Sequence, residues 1–189
     1  MNPGCTPART DEIVLATRTW LERAVIGLNL CPFAKAVHVQ NRIRYCVSQA
    51  QSTAELLEDL AQELHALHAA DPNQCETTLL IHPAVLTDFI EYGLFLRSAE
   101  AKLSKLGYAA EFQLASFHPQ YQFADAGPDD IENYTNRSPY PMLHLLRESS
   151  IARAVAAFPA AADIYEKNME TLRRLGHAGW QRLWQDNRE

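Results

Sequence analysis

No part of this chain holds the roughly 18 to 20 consecutive apolar residues that a helix needs to cross a bilayer, so no membrane span is expected. The first residues, "MNPGCTPARTDE", lack the apolar core of a secretion signal and run into acids, which predicts a cytoplasmic protein. Cysteine is sparse: Cys5, Cys31, Cys46 and Cys75 form no Cys-x-x-Cys pair, which argues against a disulfide framework or a zinc ribbon and for reduced thiols. Basic runs are missing as well. Arg173 and Arg174 are the only adjacent basic pair and the net charge is -6, so nucleic acid is not an expected partner. Glycine is scarce, seven in 189 residues, and no repeat or low-complexity linker interrupts the chain; 47% hydrophobic and 21% charged residues describe an ordinary folded protein. A single domain over residues 1–189 is expected, with residues 1–9 as a flexible N-terminus.

What the chain does have is hydrophobic periodicity. After Thr10, a candidate N-cap, Ile13, Thr17, Trp20, Leu21, Ala24 and Leu28 recur at helical spacing, and the helix should end near Gly27, ahead of Pro32. "RIRYCVS" alternates as a half-buried strand. Ser52 and Glu55 stand in capping-box register before the leucine stripe Leu56, Leu57, Leu60, Leu64 and Leu67, which predicts a long helix to about Ala70. "TTLLIH" reads as a central strand covered on both faces, Pro83 as the first residue of a helix running to Lys105 and stopped by Gly107, and "AEFQLASF" as a third strand. Pro141 is expected to open a helix through "MLHLLRE". Helical spacing continues in "IARAVAAF" and from Ile164 through Leu175, ended by Gly176.

Strand, helix, strand, helix, strand predicts an α/β fold: a short, mainly parallel three-stranded sheet (a βαβαβ core) with additional N- and C-terminal helices. A ferredoxin-like α+β layout, with "AVHVQ" as an extra strand, is the alternative. In the parallel arrangement His82-Pro83 and His118-Pro119 end strands on one rim, where ligands tend to bind.

From His118 to Tyr140 no periodicity holds, yet Tyr121, Phe123, Tyr134 and Tyr140 supply more apolar surface than a solvated linker carries, so a packed functional loop is expected. If a helix begins at Pro141, Asn136, Arg137 and Ser138 lie at its N-terminus, and with Arg147 and Tyr121 they would bind a phosphate or carboxylate. An arginine that pins a loop through Asp130, Glu132 or Glu148 is the structural alternative. His118 and His144 are candidate acid-base groups, because imidazole titrates near neutrality. Cys31, read as the N-cap of a short helix with Pro32 at its first position, is a candidate nucleophile; a small buried thiol among Leu28, Leu30 and Phe33 is the competing reading. No metal is expected; were one bound, His82, His118 and His144 would be its ligands, although nothing like His-Glu-x-x-His supports them. His65 and His68 belong to the leucine-striped helix, and "DAGPDDIE" lacks calcium-loop spacing.

Taken together, "GLNLCPFAKAV", "ETTLLIHP", "QLASFHPQYQFA" and "NYTNRSPYPMLHLLRE" resemble a bacterial family catalogued as a domain of unknown function, number 1415 in that series, from about Thr17 to Gly176. The resemblance implies a single-domain cytoplasmic protein and brings no activity with it. Three readings stay open: a small enzyme or binding protein with an anion pocket in the His118 to Arg147 segment and an anionic small molecule as partner, a metalloprotein, and a noncatalytic interaction module. No cofactor or oligomeric state is indicated.

Overall fold

The computed structural model describes residues 7–157 and 163–185. Four strands form its sheet: β1 (Ile43–Val47), β2 (Thr77–Ile81), β3 (Phe112–Phe117) and β4 (Met142–Arg147), in the order β1-β2-β4-β3. β1 and β2 are parallel, while β4 lies antiparallel to both β2 and β3. This corrects the expected three-stranded parallel sheet, and the ferredoxin-like alternative fares no better, since "AVHVQ" belongs to the short helix α2 (Ala34–Val39). Because β3 and β2 both oppose β4, β3 still points the same way as β1 and β2. Their C-terminal ends therefore share one rim.

The strand made of "MLHLLR" replaces the helix expected after Pro141. A short apolar run is ambiguous between a buried strand and a buried helix, and proline is as acceptable just before a strand as at the start of a helix. Here both flanks offer strand partners: Leu79 pairs with His144 on one side and Ala115 pairs with it on the other. Helix α5 (Glu148–Ala157) begins only where β4 ends. Phe158, which the periodicity assigned to that helix, lies outside the described residues.

Helices cover both faces of the sheet. α3 (Thr53–Ala69) and α4 (Phe89–Lys105) pack Leu56, Leu60, Leu64, Leu67, Tyr92 and Phe95 onto Leu80, Leu143 and Leu145. At full burial each such leucine contributes about 2 kcal/mol. The Ser52 cap forms as expected, its Oγ accepting from Glu55 N, while the Glu55 carboxylate accepts from Gln51 N at 2.6 Å, one residue beyond the usual box partner. α4 starts later than Pro83: residues 82–88 form a turn with Leu86 at φ 57°, and Asp88 caps the helix by accepting from Ile90 N and Glu91 N. It stops before Gly107, whose φ of 82° suits a helix terminus.

The other face carries α1 (Pro7–Trp20), a six-residue π-helical turn (Leu21–Ile26) and α6 (Ile164–Arg182), with Ile13, Trp20, Leu21, Leu172 and Trp180 against Leu79, Ile81 and Met142. α1 is already helical at Pro7, so Thr10 is inside it rather than its cap, and residues 7–9 are not a loose leader; residues 1–6 lie outside the described residues. The π turn ends at Gly27, where an added Cβ would sit 2.3 Å from the Arg23 carbonyl oxygen. Gly176, at φ 62° and ψ 173°, breaks α6 where the sequence predicts an end, but the helix resumes beyond it.

Candidate functional site

The shared rim brings His82 and His118 together around Tyr92, whose ring lies 5.7 Å from the first imidazole and 5.2 Å from the second. Both histidines are fully buried. Gln120 N–H donates to His118 Nδ1 at 3.0 Å, so the proton sits on Nε2, which donates to Leu86 O at 3.2 Å. His82 Nδ1–H donates to Val85 O at 2.9 Å and its Nε2 has no partner among the described residues. Burial holds both imidazoles neutral, pushing His82 down to about 4 and His118 below its ordinary value. These groups lock two strand ends to the turn before α4.

The remaining predicted residues do not join them. His144 and Arg147, which share a face on a helix, lie on opposite faces of a strand, and Arg147 pairs with Phe112 at the end of the sheet away from the rim. Arg147 is 5% exposed and donates to Leu67 O, Ala70 O and Cys75 O, tying the end of α3 to the following turn. The Thr77 hydroxyl gives its one proton to Leu145 O, so His144 Nε2–H donates to Thr77 Oγ1 at 2.7 Å; burial pushes this histidine down to about 4. Cys31 precedes α2 by three residues and is not its cap, and burial raises its thiol despite nearby N–H groups of Phe33 and Ala34. A thiol raised in this way is a poor source of thiolate.

The loop is packed, as expected. Asn133, fully buried, accepts from Phe123 N and donates to Gly127 O inside a short 3-10 turn (Ile131–Thr135), and Asp130 accepts from Gly127 N, which uses the acidic stretch as a turn. Asn136 donates to Ser116 O and Ser138 to Tyr140 O. Tyr121 packs between Phe89 and Phe123. Arg137 is held in place: Nε donates to Tyr121 O at 3.1 Å, Nη2 to Pro128 O at 2.6 Å, and the guanidinium lies 4.6 Å from the Tyr134 ring centre. No carboxylate pairs with it among the described residues.

Arg137 and Ser138 line an open groove of about 650 Å³ whose existence the loop alone does not reveal. One wall is α1, through Glu12, Leu15, Ala16, Thr19 and Trp20; the second is the loop, through Pro119, Tyr134 and Pro139; the third is the end of α6 with Trp180 and Trp184. Trp20 Nε1–H donates to Arg137 O at 2.9 Å, joining two walls, and Arg23 Nη1 donates to Leu183 O at 3.0 Å, joining the π turn to the third. Tyr134, Trp180 and Trp184 continue edge to face at 4.8 and 5.6 Å. The tryptophans were missed by sequence reasoning. Their signal was "WQRLW", whose two indoles stand four apart on one helical face.

A smaller cleft of about 370 Å³ lies between the end of β1 and α3. Its acids are engaged: Glu63 pairs with Arg44, Asp59 accepts from Ser48 Oγ and Glu55 from Gln51 N. Burial, ahead of Glu63, pushes Cys46 up to about 12. Among the described residues, no three His, Cys, Asp or Glu side chains converge as a metal site, His82, His118 and His144 included. No described helix is long and apolar enough to cross a membrane.

Fold and groove together define a mixed α/β protein with a four-stranded sheet and an aromatic cleft on its α1/α6 face. The chain belongs to the family described as a protein of unknown function, DUF1415, whose model matches residues 12–182. Neither the curated proteins nor the solved structures contain a match.

Proposed function

We propose that this chain is a small-molecule-binding protein whose site is the groove between α1, the His118–Tyr140 loop and the end of α6. Its ligand has a flat apolar body and an anionic group. The observation that carries this reading is Arg137: a guanidinium fixed by two carbonyls and an aromatic ring, with no carboxylate partner among the described residues, at the edge of an indole-lined cleft. A cation already held in place binds a carboxylate with little further loss of side-chain freedom. A cleft of about 650 Å³ also falls within the range of small-molecule sites.

The binding reading is favoured over the enzyme reading by the histidines. His118 has both ring nitrogens engaged, His144 is half-buried in the sheet and bonded to Thr77, and neither lines the groove. A general acid or base needs an exchangeable proton within reach of the ligand. The interaction-module reading retains Leu15, 65% exposed, and Trp184, 39% exposed, at the groove's margins.

Thermal-shift and tryptophan-fluorescence titrations with a panel of aromatic acids, with and without amino groups, test the proposal against Arg137→Gln. Stabilisation of the wild type that weakens in the variant is the expected result. Silence across the whole panel would overturn the binding reading and turn attention to protein partners.

A further inference from the structure

Among the described residues that line the groove, two carry charge, Glu12 on α1 and Arg137 on the loop, and their signs are opposite. They are not paired with each other, and among the described residues neither has an ion pair with anything else. Between and around them the lining is Trp20, Tyr134, Trp180 and Trp184, with small or apolar residues filling the rest. Resting on the binding reading above, we propose that the ligand is an aromatic zwitterion, with a carboxylate for Arg137 and an ammonium for Glu12 on either side of, or next to, a planar ring.

Desolvation drives the argument. A ligand that fills the groove removes water from both charges, and a charge that loses water without gaining a partner weakens binding. An uncharged aromatic compensates neither. A monocarboxylate satisfies Arg137 but leaves Glu12 facing an apolar body, and it adds a second negative charge to the same cleft. A phosphate monoester is worse placed, because it brings close to two negative charges to one guanidinium whose Nε and Nη2 are already committed to Tyr121 O and Pro128 O. A ligand carrying one charge of each sign leaves the filled groove neutral and both protein charges paired. The indoles and Tyr134 then face its ring, where offset or edge-to-face contacts and cation–π attraction for the ammonium add to apolar burial.

The experiment compares two zwitterions with their singly charged counterparts by calorimetry and thermal shift. L-phenylalanine carries both charges on one carbon and is matched with hydrocinnamate and phenethylamine; para-(aminomethyl)benzoate carries them at opposite ends of the ring and is matched with para-toluate and para-methylbenzylamine. At least one zwitterion should bind about five-fold or more tightly than both of its counterparts, the scale of a partly exposed ion pair. Glu12→Gln should remove that advantage and leave the acid's affinity unchanged or improved, whereas Arg137→Gln should weaken both. Glu12 is an exposed helix residue, so its variant tests the contact without endangering the fold. Acids that bind as well as their zwitterions, with no effect of Glu12→Gln, would overturn the zwitterion and leave the binding reading intact. If none of the six binds while the neutral dye Nile red binds to the wild type and not to Trp184→Ala, the zwitterion falls together with the anionic group of the ligand, and the groove remains an apolar site; if the dye also fails, the groove is not a small-molecule site at all.

Discussion

The rim at the ends of β2 and β3 and the groove between α1 and α6 hold the same kinds of side chain to opposite effect. At the rim, His82, His118 and Tyr92 are buried and their polar atoms are largely committed to backbone carbonyls and amides. At the groove, the rings of Tyr134, Trp180 and Trp184 border open space, and Glu12 and Arg137 keep their charges without counter-ions among the described residues. A residue type suited to chemistry marks a site only when its polar atoms are left over once the fold has been satisfied. By that criterion the rim is mostly architecture, with the enclosed His82 Nε2 its one atom left over among these three side chains, and the groove is the candidate site.

Acid should act most strongly on the histidines enclosed in the fold, at the rim and in the sheet, and not on the groove. His82 and His144 are held neutral in the fold, each pushed down to about 4 from an ordinary value of 6.5. Between those values the unfolded chain binds protons that the folded chain does not, so stability rises with pH across the window and falls as pH drops from about 6.5 towards 4. Each imidazole contributes on the order of 3 kcal/mol to that loss. Urea unfolding at pH 7 and pH 4.5 should show a large drop, and His144→Leu should remove a substantial part of the slope. A variant with the wild-type slope would mean that His144 is not titrating in this way.

The next largest effect should come from Arg147, the arginine that sequence reasoning placed beside Arg137 in one anion site. Arg147→Met would leave the carbonyls of Leu67, Ala70 and Cys75 without their shared donor. Hydrogen bonds to a charged group are each worth roughly 1.5–3 kcal/mol, so a loss of about 3 kcal/mol or more is expected in denaturant unfolding. Ligand binding measured well below the variant's melting temperature should be unchanged. A selective loss of binding would return Arg147 to the site.

The two arginines also show what the sequence could and could not reveal. The Ser52 helix, the buried β2 and the alternating β1 were legible, because their signals are local: a cap, a run of β-favouring residues, a period of two. β4 was not legible. "MLHLLR" fits a helix as well as a strand, and only the distant partners β2 and β3 decide between them. Taking the helix put His144 and Arg147 on one face and lent Arg137 a helix N-terminus that does not exist. Arg137 does line a cleft, but the other walls come from α1 and from the end of α6, more than a hundred residues before it and about forty after it. Contacts over that separation leave only a faint local trace, the paired indoles of "WQRLW".

The outer of those two indoles, Trp184, offers the smallest stability effect, and the pair offers a direct contrast between structure and site. Trp180 is 8% exposed and packs against both Tyr134 and the core on the α1 face, so Trp180→Ala should cost about 3 kcal/mol or more, as large aromatic deletions from a core do. Trp184 is 39% exposed and its ring contact is with Trp180, so Trp184→Ala should cost less than about 1 kcal/mol, in line with surface substitutions. Binding should rank them differently. Because Trp184 closes the outer end of the third wall, its removal should weaken an aromatic ligand several-fold while leaving the melting temperature almost unmoved. A residue whose loss is silent in stability and evident in binding belongs to the site rather than the scaffold. The reverse pattern, stability lost and affinity kept, would make the α6 indoles a cover for the core and confine the ligand to the space between Arg137 and α1.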